Sequence, residues 1–136
     1  MENASLFFSE QDQLSLRYLV IEEIDNSIWA YLTFPNNTKI EKDCFLANRT
    51  KLDGSIYLEK LSEQGIPPPI SDAYATDFSY QPNLEEEDIS VEWINEEVIL
   101  MVHIKDKPFL YFLADEKNGF AKSIGKDGPF GHRWAL

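Results

Sequence analysis

Three apolar runs between Ile89 and Leu113 restrict the folds open to this chain more than any other feature. They span Ile89 to Ile94, Val98 to Ile104 and Phe109 to Leu113. Asn95-Glu96-Glu97 separates the first two, and Lys105-Asp106-Lys107-Pro108 the last two. Gaps this short join antiparallel neighbours, because a parallel pair needs a long crossover. The stretch therefore predicts a β-meander on which the rest of the chain packs. In the middle run Val98, Leu100, Val102 and Ile104 alternate with Ile99, Met101 and His103, so both faces are apolar. That pattern predicts a central strand covered on both sides, with His103 a hydrogen-bonded core residue. The first run alternates more cleanly and suits a half-exposed strand, with Trp93 on its apolar face. A buried Trp93 replaced by alanine would cost about 3–5 kcal/mol.

A second hairpin is predicted from Leu16–Ile24 and Ile28–Phe34. Asp25-Asn26-Ser27 supplies turn residues between them that tolerate left-handed backbone. Residues 1–13 read as a weakly ordered lead-in, although Leu6-Phe7-Phe8 also suits an edge strand; Ile40–Asn48 reads as strand in preference to a helical turn, and Phe120–Ile124 as a last short strand. Ser55–Gln64 fits a short amphipathic helix started by Ser55 and stopped near Gly65, although Asp53-Gly54 also suits a hairpin turn. Pro67-Pro68-Pro69 forces extended chain, and residues 66–87 form a long loop without period, whose Tyr74, Phe78 and Tyr80 would pin it to the surface. Residues 125–136 form a glycine- and aromatic-rich tail. The expected fold is mainly β, an antiparallel sheet of at least five strands built from hairpins and a meander, with at most two or three short helices. At 136 residues it is one domain, 1–136.

Charge and composition exclude several classes of function. The net charge of −12 speaks against nucleic acid, whose phosphates require a basic face. Residues 1–100 carry 6 basic and 20 acidic side chains, net −14, whereas residues 101–136 carry 6 and 4, net +2. This acidity serves solubility in one reading and steers a basic protein partner in the other. No run reaches the roughly 18–20 apolar residues of a membrane helix, and the N-terminus lacks a basic start and long apolar core. The lone Cys44 cannot form an internal disulfide, which favours a reducing, cytoplasmic setting. Its neighbours Phe45 and Leu46 suggest a buried, inert thiol.

The search for catalytic and cofactor motifs is negative: there is no phosphate loop, nucleophile elbow or zinc-type spacing. No cofactor or metal is expected. Glu22-Glu23-Asp25 and Glu85-Glu86-Glu87-Asp88 lack the alternating donors of a calcium loop and, placed on strands, would diverge into solvent. Arg49 is either a surface residue or a clamp that bonds carbonyls or an acid at the long loop. His132 and Arg133 are tail residues that together suit an anion. Phe130 and Trp134 are expected to dock on the sheet or on a partner subunit, with Arg133 near an acid of the first hundred residues.

Leu46-Ala47-Asn48-Arg49, Pro67-Pro68-Pro69 with Tyr74-Ala75, Val91-Glu92-Trp93, Gly119-Phe120 and Gly128-Pro129-Phe130-Gly131 together resemble a pattern in small uncharacterised bacterial proteins. The resemblance spans residues 18–131 and departs at the tail. It implies a bacterial cytosolic β-rich domain with no assigned activity, and it transfers no catalytic residue.

The function expected from these readings is a non-enzymatic protein-binding module, with an immunity-like inhibitor of a basic partner as a subtype. The alternative is a small-ligand site or enzyme with a pocket between sheet and loop 66–87, bordered by Trp29, Tyr74 and Trp93. Self-association through an unpaired sheet edge is a third expectation.

Overall fold

The computed structural model describes residues 5–49 and 76–136. The expected helix or hairpin around 53–64, the proline run and Tyr74 lie outside them. Strands β1 (Phe7–Gln11), β2 (Tyr18–Ile24), β3 (Ser27–Thr33) and β4 (Ile40–Asn48) form one sheet in chain order. Strands β5 (Ile89–Trp93), β6 (Val98–Ile104), β7 (Lys107–Leu113), β8 (Phe120–Ala121) and β9 (His132–Arg133) form the second. The fold is mainly β, as the periodicity predicts, but the described residues form two sheets, of four and five strands. Among these strands every pairing is antiparallel except that of β8 with β9, which is parallel. Among the described residues helix is limited to a 3-10 turn at Glu86–Asp88.

Local chemistry sets both long hairpins. Asp25 and Asn26 have φ of 48° and 73°, and Lys105 and Asp106 have 51° and 68°. Two left-handed residues in a row form the turn whose twist matches a two-residue hairpin. Asn and Asp occupy such backbone readily; Lys105 does not, and its N–H is held by the Asp88 carbonyl at 2.8 Å.

Register then decides which side chains meet. Leu19, Ile21, Ala30 and Leu32 are cross-strand neighbours on the inner face of the first sheet. Leu100, Val102, Leu110, Phe112 and Ala121 line the inner face of the second. All nine are fully buried and belong to one core shared by both sheets. At about 25 cal/mol per Å2 each large side chain contributes roughly 2 kcal/mol.

Two seams join the sheets. Along the first, three separate segments bond to β4: Phe45 N–H donates to the Phe130 carbonyl at 2.8 Å, Gly119 N–H to Asp43 at 2.9 Å and Asn48 N–H to Ser79 at 2.6 Å. Lys42, buried, donates to the carbonyls of Ala114 and Glu116. Gly119 and Gly131 crowd Cys44 so closely that an added Cβ would meet Cys44 Cβ at 2.8 Å and Sγ at 3.0 Å respectively. Along the second seam β1 meets β5 through side chains: Trp93 Nε1–H donates to Glu10 at 2.6 Å and Asn95 Nδ2–H to Asp12 at 2.8 Å.

The structure corrects several expectations. β6 is central in its sheet but covered on one side only, because Met101 and His103 are only half-buried. His103 is no core residue; its imidazole lies 3.4 Å from the exposed Glu92. The doubly covered strand is β7, with Phe109 through Phe112 all buried. Trp93 is half-buried on a lateral strand, so its truncation falls well short of a full cavity.

Candidate functional site

Beside the β2–β3 turn, between the first sheet and the segment that leads into β5, an open cleft of about 830 Å3 lies among the described residues. It is bounded by the β2–β3 turn at Asn26, by Leu6, and by the segment Pro82–Glu87. Arg49 holds its wall. The guanidinium donates from Nε to Glu23 at 3.1 Å and from Nη1 to the carbonyls of Gln81 and Pro82 at 3.2 and 3.4 Å. Both charged side chains are only 15% exposed, so water screens the pair little. Of the two readings that the sequence left open for Arg49, surface residue or clamp, this geometry is the clamp. Phe7 N–H donates to Glu86 at 3.1 Å and draws the acidic segment onto β1.

The Glu85–Asp88 acids converge instead of diverging, because they sit on a 3-10 turn and not on a strand. Asp88 accepts from the Glu85 N–H at 3.0 Å, and Glu85 returns its carbonyl to the Asp88 N–H. The turn brings Glu85 and Glu87 into contact. The hydrogen bond that a protonated Glu87 donates to Glu85, together with the charges of Glu85 and Asp88, pushes the Glu87 carboxyl above its ordinary range. With Glu23 and Glu86 these side chains give the cleft an acidic rim. No group of His, Cys, Asp and Glu among the described residues is arranged to hold a metal ion.

The outer face of the first sheet is the second notable surface. Register places Phe7, Glu22, Trp29 and Phe45 in one cross-strand row and Ser9, Val20, Tyr31 and Asp43 in the next. Phe45 is fully buried, with Trp29 edge-on at 5.7 Å and Phe130 at 6.2 Å from Trp29. Val20, Trp29 and Tyr31 stay half-buried, and Phe7 is 51% exposed. Burial, then the charges of Glu22 and Asp43, hold the Tyr31 hydroxyl above its usual pKa.

The sequence-predicted site residues do not assemble. Trp29 faces outward on the first sheet, whereas Trp93 sits at the seam with Glu10, and neither borders the cleft. Trp134 docks on the second sheet as expected, 5.0 Å from Tyr111, and its Nε1–H closes on the Leu136 carbonyl. His132 lies 4.6 Å from Phe120. Among the described residues Arg133 pairs with no acid of the first hundred. Its backbone N–H donates to Asp127 at 2.8 Å and its guanidinium lies 3.7 Å from the same carboxylate, within the tail. An anion site at His132 and Arg133 is thereby compromised, since Asp127 already faces both. Phe78 and Tyr80 are 51% and 41% exposed, with Phe78 edge-on to Phe109 at 6.3 Å and Tyr80 bridged to Asn48. Polar bonds hold the loop as well: Thr76 Oγ1–H to Lys122 at 2.6 Å and Ser79 Oγ–H to Ser123 at 2.7 Å.

Compared with known proteins, the chain matches no family model, no curated protein and no solved structure. No helix among the described residues is long and apolar enough to cross a membrane.

Proposed function

We propose that the chain is a small acidic, non-enzymatic protein-binding module whose partner is basic, in the manner of an immunity-type inhibitor that occupies a cationic protein. The observation that supports this most is the acidic rim of the cleft, where Glu85, Glu86 and Glu87 stand together beside Glu23. Carboxylates grouped in this way gain when a cation arrives, and their field speeds a basic partner's approach. The lone buried Cys44 agrees with a cytoplasmic setting. The chain immobilised and challenged with lysate of its native host, at low and then moderate salt, should retain a basic protein more strongly at low salt. Light scattering should then show a defined stoichiometric complex. Retention of no protein at either salt removes the reading.

The cleft volume favours a second reading, a small-ligand site, because it exceeds the roughly 300 Å3 at which such pockets begin. Its acidic rim selects for a polyvalent organic cation. Spermine is the probe, and an unchanged melting temperature at millimolar spermine sinks this alternative.

A further inference from the structure

The two long hairpins carry a tyrosine at the same place, the fifth residue of the second strand, facing away from the core: Tyr31 on β3 and Tyr111 on β7. The chain covers one of them. Phe120 stacks on Tyr111 at 4.8 Å, Trp134 meets it edge-on at 5.0 Å, and only 1% of the residue is exposed. Tyr31 has Val20 and Asp43 as its cross-strand neighbours and remains half-open, beside a half-open Trp29.

We propose that this open face, formed by Val20, Trp29 and Tyr31 with Glu22 and Asp43 among them, docks an arginine-bearing segment of a protein partner. The proposal rests on the basic-partner reading above and names the surface and chemistry through which that partner is met. Charge and shape agree on the occupant. Tyr31 feels both Glu22 and Asp43, so the face combines aromatic rings with negative potential. A guanidinium stacks on an indole or phenol plane while its N–H groups bond a carboxylate; an ammonium is a point charge and cannot match that planar geometry. An acidic or purely apolar segment would leave Glu22 desolvated and unpaired. The face is also continuous with the cleft rim, since Phe7, which ends the Glu22–Trp29 row, is bonded to Glu86.

The full chain is titrated by calorimetry at low salt with a short all-arginine peptide, and with all-lysine and all-glutamate peptides of equal length. Three variants, each checked for an unchanged near-ultraviolet spectrum, separate the causes. Glu22→Lys and Val20→Lys alter the proposed face. Glu92→Lys makes the same charge change as Glu22→Lys on the outer side of the other sheet, where Glu92 is exposed beside His103. The arginine peptide should bind several-fold more tightly than the lysine peptide and shift the Trp29 indole resonance, and the glutamate peptide should not bind. Glu22→Lys and Val20→Lys should each weaken arginine-peptide binding about tenfold, and Glu92→Lys less than about twofold. Equal losses for Glu22→Lys and Glu92→Lys, or a Trp29 resonance unmoved at saturation, overturn the docking face and leave the basic-partner reading standing. Failure of both basic peptides to bind overturns the face and also removes that reading.

Discussion

The hairpins β2–β3 and β6–β7 share turn geometry, strand length and an outward tyrosine, yet one is sealed and the other is open. The seal on the second comes from residues distant in sequence. Phe78 lies edge-on to Phe109 at 6.3 Å, and the tail returns Trp134 to Tyr111, with Lys122 Nζ 5.0 Å from the indole. The first hairpin receives from the same tail only Phe130, at the Trp29 end of its face. One hairpin thus spends its outer aromatics on folding, while the other keeps Tyr31 and Val20 available for contact. Strand sequences of similar apolarity reach different ends because burial depends on which segment lands on them.

Removing the tail is the sharpest way to break this difference. Truncation after Lys126 strips Phe130, β9 and Trp134, and should cost on the order of 3–5 kcal/mol. Thermal unfolding measures it, and an unchanged melting temperature would mean the tail does not hold the second sheet. Next in size is the contrast between the two tyrosines. Tyr111→Ala removes a buried ring and should cost about 3–4 kcal/mol, against about 1 kcal/mol or less for Tyr31→Ala. Urea midpoints for the pair decide it; equal losses would show that the two faces are equally structural.

A smaller effect is expected at the clamp. Arg49→Met leaves Glu23 and two carbonyls without their donor and should cost about 1–3 kcal/mol. Hydrogen exchange should then quicken at the Asn48 and Gln81 amides, which tie the loop to β4. Protection unchanged at both amides would separate the clamp from the loop.

Acid should act on the opposite seam, and weakly. Burial alone would raise the pKa of Asp12. The bonds it accepts from Ser15, Asn95 and Leu14 outweigh burial and hold it below the ordinary carboxylate value. A depressed folded-state pKa gives stability that is present above the unfolded value, near 3.9, and is lost as pH falls through the folded one. Asp12→Asn should therefore flatten the acid limb of the stability curve below about pH 4. A variant that loses stability with acid as steeply as the parent would assign that limb to other carboxylates.

Part of the candidate site was legible in the chain. Arg49 could be singled out at a strand end outside any strong apolar pattern, but the sequence left a surface residue and a clamp both open. The Glu85–Asp88 cluster was visible but misread, since acids on a strand diverge, whereas on a 3-10 turn residues three apart come together. The outer face of the first sheet left no distinct signal. Trp29 and Tyr31 alternate with Ile28, Ala30 and Leu32 as they would in any strand buried on both sides.

Local rules determined the strands by themselves. Alternation placed Leu19, Ile21, Ala30 and Leu32 on one face, and Asp25-Asn26 marked the turn between β2 and β3, because side-chain period and φ preference are properties of a few adjacent residues. Tertiary structure alone decided that there are two sheets, that β7 and not β6 is covered twice, and that Arg133 turns to Asp127. The first two rest on contacts between segments far apart in the chain, such as Phe45 with Phe130 and Trp134 with Tyr111, and the third on a bond within the tail. Periodicity records only that a face is apolar, and it carries no information about which distant segment will cover that face.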